Sequence, residues 1–223
     1  MISCHDIVLK KDGKTLLSNI SLTLTAKRIG IIGHNGSGKT SFSKLLNGLE
    51  TPTSGEITIF DSQGGSLPRQ QHMGFVFQNP DNQIIFPIVE EDLAFGLKNS
   101  GLTKEQISQR VSQFLGQFGL EHLQKCLTHQ LSGGEKQLIA LLGVLIMQPD
   151  YIILDEPTTL LDLKNRGRLI HLLAGLEQTL IIVSHDLGLI SEMEQVILFH
   201  QGEVMGVGSP LDMIAKYKEI SLC

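Results

Sequence analysis

The sequence predicts an α/β fold with a parallel core sheet, an antiparallel β subdomain and a small helical subdomain. Three observations carry that expectation. A short run at residues 27–32 that reads as a buried strand leads through a glycine-rich turn into a segment, 41–46, that opens a helix. Two further apolar runs, at 151–154 and 179–183, flank a helical repeat of Leu169, Leu172, Leu173 and Leu176, a β-α-β pattern. From residue 81 to residue 130 the β character gives way to helical periodicity, so the chain reads as one domain, 1–223. Residues 1–80 and 131–223 form its core and β subdomain, and 81–130 its helical subdomain.

In order, residues 7–9 and 18–25 read as strands, with Asp12-Gly13 as the turn between them. Thr51-Pro52-Thr53-Ser54-Gly55 breaks the chain before a strand at 56–60, and 61–71 reads as a loop. A strand at 73–77 ends in Gln78-Asn79-Pro80. Thr103 and Gln106 form a capping box for a helix whose inner face is Ile107, Val111, Phe114, Leu115 and Phe118. Residues 138–147 are continuously apolar but reach only about half of a bilayer span, so they read as a buried helix. Residues 196–199 and 203–205 form a hairpin through Gln201-Gly202, and Ser209-Pro210-Leu211-Asp212 starts a last helix.

Composition narrows the function. A chain of 223 residues with 41% hydrophobic content can bury a substantial core. Its 18 basic and 23 acidic side chains leave a net charge of −5, so no nucleic acid partner is expected. Cys4, Cys126 and Cys223 lie far apart without a C-x-x-C, which suits ordinary thiols in a reducing compartment. The first residues lack a basic segment followed by an apolar one, so the expectation is a cytoplasmic protein without a signal peptide. Any membrane association then goes through another protein or a surface patch.

The chemistry begins at Gly33-His34-Asn35-Gly36-Ser37-Gly38-Lys39-Thr40, which fits G-x-x-x-x-G-K-[ST] at every fixed position. Glycines let successive N–H groups turn toward an anion, and the following helix adds the positive end of its dipole. Lys39 is placed to reach phosphates and Thr40 to offer its hydroxyl to Mg²⁺; Gly33, Asn35, Gly36, Ser37, Gly38 and Ser41 complete the expected phosphate cradle. Asp155-Glu156 follows four apolar residues, placing two carboxylates at the C-terminal end of a buried strand. A strand ending in acids is a weak signal alone. Joined to the phosphate loop, it suits Asp155 for Mg²⁺ and Glu156 for a general base on water.

A second motif is Leu131-Ser132-Gly133-Gly134-Glu135-Lys136-Gln137. Ser132 and Glu135 form a capping box, and the two glycines leave the helix N-terminus bare for an anion. With this motif the chain resembles an ATP-binding cassette ATPase, a P-loop NTPase. Residues 33–40 match that family's Walker A, Gln78 its Q-loop, residues 131–137 its LSGGQ signature with Glu135 in place of Gln, and 151–156 its Walker B. Asp162 matches the D-loop, and His185 in Ser184-His185-Asp186 the switch histidine.

The resemblance implies ATP and Mg²⁺ as cofactors, with Gln78 joining Thr40 and Asp155 at the metal. It implies a second ATPase chain, identical or related, paired head to tail, so that Ser132, Gly133, Gly134 and Asp162 act on nucleotide held by the opposite phosphate loop. Glu156 and His185 would serve water and the γ-phosphate. Two departures stand out. The aromatic that the family stacks on adenine is missing near Leu9-Lys10-Lys11, and the D-loop stretch 158–162 carries a bulky Leu160.

Residues 78–86 and 89–96 resemble the extended Q-loop segment of energy-coupling factor importer ATPases. That resemblance implies a membrane T-component whose coupling helices enter a nearby groove, a membrane substrate-binding component, and a place on the cytoplasmic face of the cell membrane. Ile84 and Phe86 are the expected apolar contributors to that groove. Residues 158–163 and the absent aromatic are similar to biotin-uptake ATPases, making biotin the favoured cargo and cobalt or nickel the alternative. Soluble cassette proteins that act on DNA or ribosomes carry a long coiled-coil insertion or two cassettes, and this sequence has neither.

Overall fold

The computed structural model describes residues 1–61 and 63–222. Along the chain lie β1 (Ile2–Lys11), β2 (Lys14–Leu24), β3 (Arg28–Gly33), α1 (Lys39–Asn47), β4 (Ser54–Phe60), β5 (Ser66–Leu67), α2 (Arg69–His72) and β6 (Met73–Val76). Next come α3 (Val89–Phe95), α4 (Lys104–Gln117), α5 (Gly133–Leu145), β7 (Tyr151–Asp155) and α6 (Leu163–Ala174). The chain finishes with β8 (Thr179–Val183), α7 (Leu187–Ser191), β9 (Gln195–His200), β10 (Glu203–Gly208) and α8 (Pro210–Leu222). Two compact units divide these elements.

The first unit comprises Met1–Phe75, Asp150–Glu156 and the residues from Gln178 onward. Its main sheet has the order β10-β9-β3-β8-β7-β6, and β9, β3, β8 and β7 run parallel. β3 sits between two partners and is buried from Ile29 to Gly33, as expected of an apolar run covered on both faces. Phe42 of α1 packs on Phe199 of β9 with ring centroids 5.1 Å apart. α8 lays Met213, Ile214, Tyr217 and Ile220 over Ile32, Ile190, Val196 and Leu198. A second sheet, ordered β2-β1-β4-β5, is the expected antiparallel subdomain.

The turns follow their chemistry. Asp12 and Gly13 both take positive φ, as do Gln201 and Gly202, giving two tight hairpin connections. The expected loop at 61–71 is shorter, because it contains β5 and most of α2; Ser62 in it lies outside the described residues, as does Cys223. Cys4 is buried, and burial pushes its thiol up to about 12, which makes it an inert core residue.

The second unit comprises Val76–Pro149 and Pro157–Glu177, so it takes in more than residues 81–130. The reason is that α5 and α6 lie with α3 and α4: the first turn of α5 abuts Asn165 of α6. The expected capping box of α4 is complete, with Thr103 and Gln106 exchanging hydrogen bonds. Val111 and Leu115 are the fully buried members of its predicted face, while Ile107, Phe114 and Phe118 are half-buried. The 3-10 turn Pro80–Asn82 and Gln83 are fastened to α5. Lys136 Nζ pairs with Asp81 Oδ1 at 2.6 Å, and Gln83 Nε2 donates to the Ala140 carbonyl at 2.7 Å.

Candidate functional site

β3 delivers Gly33 to a tight loop that returns into α1. Gly38, the N-cap of α1, has φ 104°, and a Cβ there would lie 2.6 Å from Leu17 Cδ2. At Gly33 a Cβ would meet the Phe199 carbonyl oxygen at 2.3 Å. Conformation and crowding together demand glycine at both places. Asn35 and Gly36 are exposed on the loop, Ser41 is half-buried, and Ser37 is buried. Among the described residues Ser37 Oγ has no hydrogen-bond partner, an orphan that a phosphate oxygen would satisfy.

Lys39 is buried and folds back on its own loop, Nζ donating to the Gly33 oxygen at 2.7 Å and the His34 oxygen at 2.9 Å. Burial pushes its pKa down, against the opposing pull of Glu156 and Asp155. An anion in the loop would supply the compensation that two carbonyls give only in part. Thr40 Oγ1 donates to Asp155 Oδ1 at 3.2 Å. Burial pushes the Asp155 carboxyl up; the Thr40 hydrogen bond lowers it, Glu156 adds to the rise, and Lys44 and Lys39 oppose it.

These two side chains fit Mg²⁺. Both offer hard oxygen donors, and a buried carboxylate held off its charged form gains most from a cation. Among the described residues no cluster of three or more His, Cys, Asp or Glu forms a cage.

Glu156 follows β7 with φ 50°, a left-handed conformation uncommon for residues other than glycine. Its amide donates to the Val183 oxygen at 2.8 Å, tying the turn to β8. His185 meets its carboxylate twice: the backbone N–H donates to Oε2 at 3.3 Å, and ring Nε2 lies 3.2 Å from Oε1. The turn holding His185 is braced by Asp186, whose amide donates to Ser184 Oγ at 3.0 Å and whose side chain caps α7.

One unit thus brings together the phosphate loop, Thr40, Asp155, Glu156 and His185. The other holds Gln78, Ser132, Gly133, Gly134 and Asp162. Gln78 is exposed just before the 3-10 turn. Asp162 caps α6, Oδ1 accepting from the Asn165 amide at 2.8 Å. A Cβ on Gly134 would lie 2.3 Å from Asn165 Nδ2, so glycine is what lets the first turns of α5 and α6 touch. Gly133 is exposed. Ser132 caps α5, and its amide and hydroxyl donate to Glu135 Oε2 at 2.9 and 2.7 Å. Those two bonds hold the Glu135 carboxyl below the usual range.

Sequence reasoning did not find every contributor. Gly202, read only as a hairpin turn, supports the phosphate loop: its amide donates to the Ser37 oxygen at 3.0 Å, and its oxygen accepts from the Ser18 amide at 2.9 Å. A turn signal says nothing of what the turn rests on. The apolar surface extends beyond the two residues expected to contribute to it. Ile84 and Phe86 are half-buried, whereas Ile85 and Phe95 are 70% and 47% exposed. Phe86 is covered because its ring packs on Phe95, at 5.3 Å, beneath the Lys98 ammonium.

The chain has clear relatives. The biotin transport ATP-binding protein BioM of Rhizobium etli is 45% identical over 212 residues, covering 93% of each chain. The energy-coupling factor transporter ATP-binding protein EcfA1 of Halalkalibacterium halodurans is 40% identical over 189 residues, 82% of this chain and 68% of that protein. CbiO1 from Clostridium perfringens, part of the ABC transporter complex CbiONQ, superposes with a TM-score of 0.83 at 32% identity over 99% of this chain and 94% of its own. The ABC transporter family pattern matches residues 17–159, from the strand that backs the phosphate loop to the end of the Walker B turn. With that match added to the site geometry, the chain belongs to the ATP-binding cassette transporter family as an ATP-binding subunit.

Proposed function

We propose that this protein is the ATP-hydrolysing subunit of an energy-coupling factor type importer and that its cargo is biotin. The observation that carries the enzymatic part is the grouping of Thr40–Asp155 and Glu156–His185 in the unit that holds the phosphate loop. Relatives named for biotin transport and for energy-coupling factors support the transport part.

In this reading the loop from Gly33 to Ser41 holds the phosphates of ATP. Thr40 and Asp155 would hold Mg²⁺, which when bound offsets phosphate charge. Lys39 exchanges two loop carbonyls for phosphate oxygens. Glu156 takes the proton of the attacking water, and the His185 ring keeps its carboxylate oriented until that proton arrives. A second cassette supplies Ser132, Gly133, Gly134 and Asp162, so hydrolysis is efficient only in a closed pair. The pair works from the cytoplasmic face of the membrane on a T-component and a substrate-binding component.

Glu156→Gln removes the base while keeping the side chain's size, and should accumulate an ATP-bound pair that sedimentation resolves from single chains. Hydrolysis by that variant at the parent's rate would refute the assignment. For the cargo, the chain is expressed with its membrane partners in cells that cannot make biotin, and labelled biotin uptake is followed. ATP-dependent uptake that Glu156→Gln abolishes is the expected result. Uptake of cobalt or nickel instead would replace biotin and leave the enzymatic reading standing.

A further inference from the structure

The last turn of α8 reaches the phosphate loop. Ser221 Oγ lies 3.2 Å from His34 Nε2, and the Tyr217 ring sits 5.3 Å from the His34 ring at 47°. Ser221 has one hydrogen, and it goes to the Tyr217 carbonyl oxygen at 2.7 Å. The contact with His34 must then run the other way, Nε2–H donating to Ser221 Oγ. His200 at the end of β9 closes the cluster edge-on, its ring 6.3 Å from that of His34.

α8 is well placed to act as an anchor. Ser209 caps its start through the Asp212 amide at 3.2 Å, and Lys216 Nζ donates to the Met205 oxygen at 2.5 Å. Its apolar side lies on Ile32, the residue before Gly33. His34 is the pivot of the loop: its carbonyl accepts from Lys39 Nζ at 2.9 Å and from the Ser37 amide at 3.1 Å. When Lys39 turns to a phosphate, the first of these bonds is lost. The tie from the imidazole to α8 then keeps His34 in place between glycines of positive φ, in a segment that would otherwise be free to open.

We propose that Ser221 and Tyr217 are positioning residues for nucleotide binding, and that α8 preorganises the phosphate loop through the His34 side chain. A preorganised loop binds more tightly because less ordering remains to be done on binding. The proposal rests on the phosphate loop binding nucleotide and is independent of any cargo.

The test is titration of the full chain with a fluorescent ADP, which requires neither pairing nor hydrolysis. Ser221→Ala should weaken binding about three- to tenfold, the range for one neutral hydrogen bond. Ser221→Thr, which keeps the hydroxyl, should restore parent affinity. His34→Ala should cost a similar factor, and the double variant no more than the larger single effect, since both break one contact. Thermal midpoints of the Ser221 variants should match the parent. Parent-like affinity in Ser221→Ala, or losses that multiply in the double variant, would overturn the proposal. A parent that binds no ADP would overturn the phosphate-loop reading itself, and the two failures are thereby distinct.

Discussion

Replacing Asp155 by Asn should make the ligand-free protein more stable and its nucleotide-bound state less so. Asp155 is 5% exposed, lies beside Glu156, and receives one hydrogen bond from Thr40. Asn keeps the shape and an oxygen to accept the Thr40 hydroxyl, and removes a buried charge lacking its cation. Relieving one poorly compensated buried group is worth about 1–3 kcal/mol; about 2 kcal/mol raises the Tm by roughly 4–8 °C for a chain of this size. The pH dependence fixes the sign. The carboxyl is pushed above its ordinary value of 3.8, so protons bind the folded state more tightly, and the cost of the charge appears as pH rises through the folded pKa. The variant's advantage should be greatest above the folded pKa and shrink as the pH falls toward the ordinary carboxylate range, where the parent's carboxyl is itself neutral. Adding Mg²⁺ and ATP at about a hundred times Kd should stabilise the parent by about 2.7 kcal/mol and the variant by little. Thermal melts across pH, with and without Mg²⁺ and ATP, measure all of this. A variant less stable than the parent at neutral pH without ligand, or an advantage independent of pH, would refute the reasoning.

Other consequences are open to the same kind of check. Glu135→Gln retains the Ser132 capping geometry and removes a negative charge from a helix N-terminus; it should cost under about 1 kcal/mol of stability and tighten ATP-driven pairing, and weaker pairing by sedimentation would count against it. Gly38→Ala must place a Cβ at φ 104° and 2.6 Å from Leu17 Cδ2, so fluorescent ADP should no longer bind measurably, while parent-like affinity would contradict the account of the loop. Ile85→Asp with Phe95→Asp should leave ATP binding intact and abolish capture by membrane components in a pull-down from detergent extract. Undiminished capture would place the partner surface elsewhere.

The parts of the site that were legible in the sequence are those where chemistry restricts residue type within a few positions. A loop that wraps an anion needs glycine at Gly33 and Gly38, and a capped helix needs Ser132 with Glu135. A buried strand that ends in acids announces Asp155 and Glu156. What escaped notice depends on neighbours distant in the chain. The apolar period of α6 revealed a helix between two parallel strands, but not that it clusters with α5 through Gly134 and Asn165. Which of Ile84, Ile85 and Phe86 faces outward could not be read either, because the segment is a turn with no period to extrapolate. Phe86 is covered by Phe95 and Lys98, whose positions a turn sequence does not announce.

The two hydrogen bonds of Gly202, one to Ser37 and one from Ser18, bear on biogenesis. The phosphate loop leaves the ribosome first, and one of its backbone supports follows only after the whole of the second unit has been made. A nascent chain carries the whole G-x-x-x-x-G-K-[ST] motif long before the hairpin that braces it exists. Nucleotide affinity should therefore arise only once that hairpin has been made, and ATP would serve as a ligand that favours the chain carrying it over one that does not yet.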